Sequence, residues 1–323
     1  MMTKNTLKDA WRRLAKGKSF VLACHQRPDG DTLGSALALA HILRRMDKDV
    51  VVLAEDGVPD NYTFIPESDT ILTQTDRRDF DIGVLIDSEG LKRIGTASEA
   101  VSSAKETACI DHHVPNGGFG DIRVADRTLS STAEVMAEFF DANEVEVDQI
   151  AATQLLTGLI ADTGAFRFAN TTARTFEIAA HLQSLGAQPS VIAREVYESR
   201  PLRSARLLGR ALTSLETDES GRVVWASITQ KDLDDLGATD ADTDSIVNQV
   251  AAVKGPKVAI LFRETKPDSI RISLRSRDGV DVNQIAKVFD GGGHVAAAGC
   301  HYDGSLEDAR KAIVAEVLRW MES

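Results

Sequence analysis

The sequence predicts an α/β protein of two domains: an N-terminal parallel sheet with helices on both faces, then a smaller α/β C-terminal domain. The 323 residues exceed what a single hydrophobic core usually serves, which favours two domains. Short apolar runs alternate with helical patterns through the first half of the chain, and this alternation is typical of a parallel sheet with crossover helices.

The N-terminal domain is predicted to span residues 1–190 and to contain five strands. The apolar runs that predict them lie at 20–24, 50–54, 82–86, 108–110 and 122–124. Between the first two runs, Leu33, Leu37, Ala40 and Leu43 recur at helical spacing, which predicts a helix over 32–46. Further helical patterns cover 131–140, 148–160 and 175–185.

The segment 191–215 continues the helical pattern and is predicted to be a helical linker to the C-terminal domain, 216–323. That domain has predicted strands at 223–228, 257–263, 269–276 and 299–302, with helices near 243–252, 282–289 and 306–321. In the third strand, Ile270 and Ile272 alternate with Arg271 and Arg275, so one face is expected to be buried and the other to present guanidinium groups.

The amino-acid composition limits the binding partners and the cellular compartment that we expect for this protein. A net charge of −12 argues against a broad basic face for long duplex DNA, so contacts to nucleic acid should be local. The three cysteines are odd in number and widely spaced, which favours a reducing cytoplasm. No apolar run approaches the length of a signal sequence or a membrane span, so we expect no membrane association. The sequence does not determine the oligomeric state, and a homodimer is one possibility.

Carboxylate and imidazole side chains follow three of the predicted strands directly, and one more acid ends a predicted helix. These residues are His25, Asp29, Asp31, Asp87, Asp111, His112, His113 and Asp162. The carboxyl ends of parallel strands meet at one edge of a sheet, where ligands bind. We therefore expect these side chains to converge on one crevice.

So many carboxylates in one crevice would repel one another unless cations were bound. Mixed Asp and His ligands suit Mn²⁺, with Zn²⁺, Co²⁺ and Mg²⁺ as alternatives, and the number of ligands suits two ions. Each motif alone has a structural explanation: Asp31 could cap its helix, and Asp87 could belong to a turn. The four motifs together favour a metal centre.

The same motifs carry a resemblance to the DHH phosphoesterase superfamily. The matching segments are HQRPDGDTLGS, VLIDS, DHH and ADTGAFRF, followed by ISLRS, DVNQIA and GGGHVAAAGC, which resemble the DHH-associated C-terminal domain. The resemblance covers residues 19–302 and is closest to the bacterial branch of nanoRNases and 3′,5′-bisphosphonucleotide phosphatases, which also includes phosphodiesterases linked to cyclic dinucleotides. At two positions, Asp290 and Val295, the chain departs from a glycine and a nearby basic residue that are frequent in the family.

The resemblance implies a role for each matching residue. One divalent ion would be held by His25 and Asp29, the other by Asp31, His112 and Asp162, with Asp87 bridging both. Asp111 would orient a ligand or hold the loop, and His113 would face the substrate phosphate. In the second domain, Arg275 aligns with a phosphate-contacting arginine, and the substrate contacts would be completed by Gly291, Gly292, Gly293 and His294.

The implied activity is metal-dependent hydrolysis, with His113, Asp111 and Arg275 as the catalytic residues beside the metals. The expected substrates are short oligoribonucleotides, including dinucleotides such as pApA, and 3′-phosphoadenosine 5′-phosphate. Three alternatives stay open at this point: an inorganic pyrophosphatase, a RecJ-like exonuclease, and a nucleotide sensor without catalysis.

Overall fold

The structure is a computed structural model that describes residues 3–113, 118–243, 246–277 and 279–322. It divides into two compact units, Met1–Ser199 and Arg200–Ser323. The division falls inside the segment 191–215, for which the sequence predicts a helical linker.

The first unit contains a parallel sheet of six strands. They are β1 (Ser19–Ala23), β2 (Asp49–Leu53), β3 (Ile71–Leu72), β4 (Ile82–Ile86), β5 (Glu106–Asp111) and β6 (Ile122–Ala125). The order across the sheet is β3-β2-β1-β4-β5-β6, and every neighbouring pair is parallel. The predicted fold class is confirmed, and the short edge strand β3 is an addition to the five predicted strands.

Helices cover both faces of this sheet, as predicted. They are α1 (Lys4–Leu14), α2 (Gly30–Arg45), α3 (Ala97–Ser102), α4 (Thr132–Ala142), α5 (Gln149–Asp162), α6 (Ala173–Ser184) and α7 (Pro189–Tyr197). Side chains alternate along each strand, so Leu22 and Val84 enter the large core under α1, α2, α4 and α5. Val21 and Leu85 enter the smaller core under α3.

Two glycines allow α2 and α5 to pack unusually close. A Cβ on Gly34 would lie 2.3 Å from the carbonyl oxygen of Gln154, and one on Gly158 would lie 2.8 Å from Oδ1 of Asp31. Any larger residue would force the two helices apart. Because α2 begins beside Asp31 and α5 ends at Asp162, this packing brings the two acids to the same place.

The second unit is a mixed six-stranded sheet with helices. Its elements are α8 (Leu202–Thr213), β7 (Glu216–Thr217), β8 (Val223–Ile228), α9 (Gln230–Leu236), α10 (Ile246–Val250), β9 (Val258–Lys266), β10 (Ser269–Ser276), α11 (Val282–Lys287), β11 (Gly292–His294), β12 (Ala297–Asp303) and α12 (Leu306–Glu322). The order is β11-β12-β10-β9-β8-β7, with only β8 and β9 parallel among these neighbours. Positions 244 and 245 of the predicted helix 243–252 lie outside the described residues.

Strand β10 has the alternation that the sequence predicts. Ile270, Ile272 and Leu274 are fully buried, whereas Arg271 and Arg275 lie on the opposite, half-buried face. None of the helices in the described part of the chain has the length and apolar character needed to cross a bilayer.

Candidate metal centre

The candidate site begins where the parallel sheet reverses its strand order. Strand β1 pairs with β2 on one side and with β4 on the other, so a crevice opens beyond the carboxyl ends of β1 and β4. His25 follows β1 and Asp87 follows β4, and both are almost completely buried. Nε2 of His25 lies 3.4 Å from Oδ2 of Asp87 across this crevice.

The backbone fixes which ring nitrogen of His25 faces the crevice. Nδ1 lies 2.8 Å from the carbonyl oxygen of Gln26, and because a carbonyl can only accept, Nδ1 carries the proton. Nε2 therefore points at the carboxylates of Asp87 and, at 3.8 Å, Asp29. Burial alone lowers the pKa of His25, but the Asp29 and Asp87 carboxylates outweigh burial and raise it to about 10. A positive charge is thus favoured at the position between these three side chains.

The two acids at the start of α2 have different tasks. Asp29 is the N-cap, and its Oδ1 accepts hydrogen bonds from the amides of Asp31 and Thr32 at 2.9 and 3.1 Å. Asp31 does not cap its own helix. Its carboxylate accepts hydrogen bonds from the amides of Thr132 and Ala133, at 2.7 and 2.8 Å, at the N-terminus of α4.

Asp87 is held in a strained conformation at the centre of the site. Its φ of +55° lies in the left-handed region, which non-glycine residues rarely adopt. Oδ1 accepts a hydrogen bond from Oγ1 of Thr132 at 2.8 Å. Burial raises the pKa of the Asp87 carboxyl, but the imidazoles of His25, His112 and His113 outweigh burial and hold it well below its usual range.

Three overlapping groups of side chains could hold metal ions. They are His25–Asp29–Asp87, Asp31–His112–Asp162 and Asp87–His112–His113, and within each group one ligand atom per residue lies within 4.8 Å of the others. All six predicted metal ligands are therefore brought together, and Asp87 and His112 each belong to two groups. His113 joins them too, although the resemblance implies that it faces the substrate.

The electrostatics of these groups fit divalent cations. Burial, and then the neighbouring Asp87 carboxylate, raise the pKa of Asp31 and of Asp162 well above its ordinary value. The acids thus repel one another, and a cation would relieve that repulsion. Burial also lowers the pKa of His112, which favours the neutral imidazole that metals require. A donor set of carboxylate oxygens and imidazole nitrogens suits ions such as Mn²⁺ and Zn²⁺.

Asp111 supports His113 directly. Oδ1 of Asp111 lies 2.7 Å from Nδ1 of the His113 ring and accepts a second hydrogen bond from the His113 amide at 3.1 Å. This pair of contacts fixes both the ring plane and the nitrogen that carries the proton. Burial lowers the pKa of His113, but the hydrogen bond to Asp111 and the charge of Asp87 outweigh it and raise the pKa to about 9.

In the second unit, the predicted substrate contacts lie on β10 and β11. Nε of Arg275 donates to Oδ1 of Asn248 at 2.9 Å, and Nη1 donates to the carbonyl of Leu274 at 3.0 Å. Among the residues that the structure describes, no carboxylate lies within salt-bridge distance of Arg275, and burial lowers its pKa. A guanidinium so placed is suited to an anion.

The glycine run leads into a strand at the edge of the second sheet. Gly292 and Gly293 pair with β12 as part of the edge strand β11, which ends at the exposed His294. A Cβ on Gly291 would lie 2.3 Å from the carbonyl oxygen of Gly299. The close approach of the chain to strand β12 therefore requires glycine at this position.

Two residues that hydrogen-bond to the candidate ligands were not predicted from the sequence. Thr132 bonds to both Asp87 and Asp31, and Nδ2 of Asn170 lies 3.4 Å from Oδ2 of Asp162. The pattern Ser131–Glu134 indicates the start of α4, and Ser131 is its N-cap. The Glu134 carboxylate, however, accepts a hydrogen bond from the amide of Ser130, so Ser131 and Glu134 form only half of a capping box. Nothing in that pattern predicts that the amides of Thr132 and Ala133 donate hydrogen bonds to Asp31.

Fold and site together define a metal-dependent phosphoesterase. Residues 19–159 match the N-terminal domain of the DHH family, and residues 220–323 match the DHHA1 domain. The chain belongs to the DHH phosphoesterase family and is a metal-dependent hydrolase.

Relatives with assigned activities are similar over nearly their whole length. The bifunctional oligoribonuclease and PAP phosphatase NrnA of Thermus thermophilus is 31% identical, over 92% of this chain and 88% of that protein. The protein of the same name from Bacillus subtilis is 26% identical, over 89% and 90%. A crystal structure of an exopolyphosphatase-related protein from Bacteroides fragilis superimposes with a TM-score of 0.91 and 26% identity, over 98% and 97%. The predicted family, fold class and enzyme class are confirmed.

Proposed function

We propose that this protein hydrolyses short oligoribonucleotides, including 5′-phosphorylated dinucleotides such as pApA, and 3′-phosphoadenosine 5′-phosphate. The observation that carries the proposal is the set of three overlapping ligand groups, in which Asp87 and His112 each belong to two groups. Two ions spaced about 3.5–4 Å apart are the usual arrangement for hydrolysis of phosphate esters. The substrate class is taken from the names of the two NrnA relatives, which match this chain over most of its length.

Two of the groups of side chains support a ligand assignment. His25 and Asp29 would hold one ion, and Asp31, His112 and Asp162 would hold the other. Asp87, which shares one group with His25 and another with His112, would bridge them. We assign Mn²⁺ because the donor set mixes imidazole with carboxylate. Bound divalent ions would provide a Lewis acid and a water whose pKa is lowered towards neutrality.

His113 is assigned to the substrate phosphate. Its Nδ1 proton is directed to Asp111, so the ring orientation is fixed before substrate arrives. With a pKa raised to about 9, the imidazolium form prevails at neutral pH and can donate a hydrogen bond to a phosphate oxygen. Asp111 acts through His113 and is a positioning residue.

Arg275 and the strand Gly292–His294 are assigned to binding of the substrate. The Arg275 guanidinium has no carboxylate within salt-bridge distance among the described residues, so a phosphate would supply its counter-charge. The exposed backbone of β11 and His294 would contact the nucleotide.

An inorganic pyrophosphatase is disfavoured because residues 220–323 match the DHHA1 domain. A cytoplasmic location agrees with the three free, buried thiols Cys24, Cys109 and Cys300.

The proposal is tested by incubating the purified chain and Mn²⁺ with four substrates in parallel. These are pApA, an RNA of about twenty nucleotides, 3′-phosphoadenosine 5′-phosphate and pyrophosphate. Release of AMP from pApA and from the bisphosphonucleotide, with slower turnover of the long RNA, is expected. Hydrolysis of pyrophosphate alone would overturn the proposal.

A further inference from the structure

The loop after Asp162, residues 163–170, has an unusual backbone. Gly164, Ala165 and Phe166 have φ values of +59°, +56° and +64°, so three successive residues are left-handed and two of them are not glycine. Such conformations cost free energy and persist only where the surrounding structure enforces them, often at functional sites.

Hydrogen bonds tie this loop to the candidate metal ligand Asp162. The amides of Arg167 and Phe168 both donate to the carbonyl of Thr163 at 3.0 Å. Further along the loop, Nδ2 of Asn170 returns to Oδ2 of Asp162 at 3.4 Å. Both ends of the loop are therefore fixed beside the metal centre.

The strained backbone holds an aromatic ring over Gly164, two positions after the candidate ligand Asp162. The Phe168 ring folds back over Gly164, because a Cβ on Gly164 would lie 2.5 Å from Cζ and 2.7 Å from both Cε atoms. One side of the ring thus rests on Gly164, two positions after Asp162, while 49% of the residue remains exposed. Single exposed apolar residues are common on protein surfaces, so the exposure of Phe168 alone does not indicate a binding role. The ring is informative because a costly loop conformation holds it over Gly164, in the loop that begins at the candidate ligand Asp162.

We propose that the Phe168 ring is the surface on which a base of the bound nucleotide stacks. This inference rests on the proposed function, because it assumes a nucleotide whose phosphate lies at the metal centre. Aromatic rings bind bases of any identity, since every base has a π face. A ring held beside the phosphate site would favour nucleotides over phosphate esters that lack a base, without selecting one sequence.

The experiment compares binding of AMP with binding of ribose 5-phosphate, which carries the same phosphate and sugar without the base. Calorimetric titrations with Mn²⁺ present are made on the wild type, Phe168→Ala, Phe168→Leu and Phe168→Trp. Stacking contributes on the order of tenfold in affinity per base. We expect Phe168→Ala and Phe168→Leu to weaken AMP binding about tenfold, Phe168→Trp to preserve it, and ribose 5-phosphate to bind all four proteins equally.

Steady-state kinetics on pApA add a second measurement, in which Phe168→Ala should raise KM about tenfold with little change in kcat. Leu72→Ala, which removes a similarly exposed apolar side chain from the edge strand β3, serves as the control and should change neither constant. Unchanged AMP affinity in Phe168→Ala, or an equal loss of ribose 5-phosphate affinity, would overturn the inference. Wild-type protein that binds AMP but does not hydrolyse pApA would overturn the proposed function and leave the stacking result valid.

Discussion

Nε2 of His25 lies 3.4 Å from Oδ2 of Asp87, across the crevice between the two strands at which the sheet reverses its order. Because Nδ1 of His25 is committed to a backbone carbonyl, two acceptor atoms face each other unless a proton or a cation lies between them. The backbone therefore fixes the orientation of the His25 ring, and a cation between the two atoms would be bound by both.

Asp87→Asn should lower kcat on pApA by at least about a thousandfold, equivalent to about 4 kcal/mol, because it removes a carboxylate charge that belongs to two of the three candidate ligand groups. Asparagine tolerates a φ of +55° better than alanine does, so the folded structure should survive. The measurement is a turnover assay at saturating Mn²⁺. Asp47→Asn, at an exposed left-handed aspartate after α2, is the matched control and should keep full activity. Activity within tenfold of the wild type in Asp87→Asn would refute the shared ligand.

Gly34→Ala should lower the free energy of unfolding of the first unit by about 1–3 kcal/mol, because its Cβ would lie 2.3 Å from a backbone oxygen of α5. The same displacement should weaken Mn²⁺ binding, since α5 carries Asp162. Urea denaturation and a metal titration measure the two effects. Gly209→Ala, in a helix where nothing lies within 4 Å of the new Cβ, should instead stabilise the protein by up to about 1 kcal/mol. Equal effects of the two substitutions would contradict the close packing.

Asp111→Asn should lower kcat by about 10- to 100-fold with little effect on the number of bound ions. Asp111 raises the pKa of His113, so its replacement should lower that pKa. The protonated imidazole would then be lost at a lower pH, and the alkaline limb of the pH–kcat profile should move to lower pH. A profile of unchanged shape would show that Asp111 serves only the loop.

His41 provides a pH dependence of stability away from the metal centre. Its Nδ1 lies 2.6 Å from Glu67 and its Nε2 lies 2.9 Å from Asp148, the N-cap of α5. Burial lowers the pKa of His41, but the hydrogen bonds to Asp148 and Glu67 outweigh burial and raise it. Its contribution to stability should therefore be complete below the unfolded pKa of about 6.5 and should disappear as pH rises through the raised folded value.

The test is urea denaturation of the wild type and His41→Gln between pH 6 and pH 9. The difference in free energy of unfolding should shrink as pH rises. His181→Gln, at an exposed position on α6, should show no such trend. A difference that grows with pH would contradict the assigned charge state.

Apolar patterning was sufficient to predict the central strands and most of the long helices, because each buried face leaves a repeat in the sequence. Helix α1, over Lys4–Leu14, was not predicted. The edge strand β3 has only two residues, too few to show alternation. Strand β11 consists of two glycines and a histidine, so its pairing depends on backbone proximity and not on side-chain propensity.

The candidate ligands could be predicted because each follows a strand or ends a helix, and the structure brings them together. The groups that hydrogen-bond to these ligands could not be predicted from the sequence. The bond from Thr132 to Asp87 and the amides that bind Asp31 connect segments more than forty residues apart. The left-handed backbone at Asp87 and along 164–166 likewise has no signature in residue type, because these positions are not all glycine.

The number of Mn²⁺ ions bound per chain at saturation tests the central claim most directly. A calorimetric titration of the metal-free wild type, checked by elemental analysis after dialysis, should give two ions per chain. Asp87→Asn should bind fewer ions, or bind them much more weakly, under the same conditions. A wild-type stoichiometry of one ion, or full binding of two ions by Asp87→Asn with unchanged affinity, would contradict a two-metal centre built around Asp87.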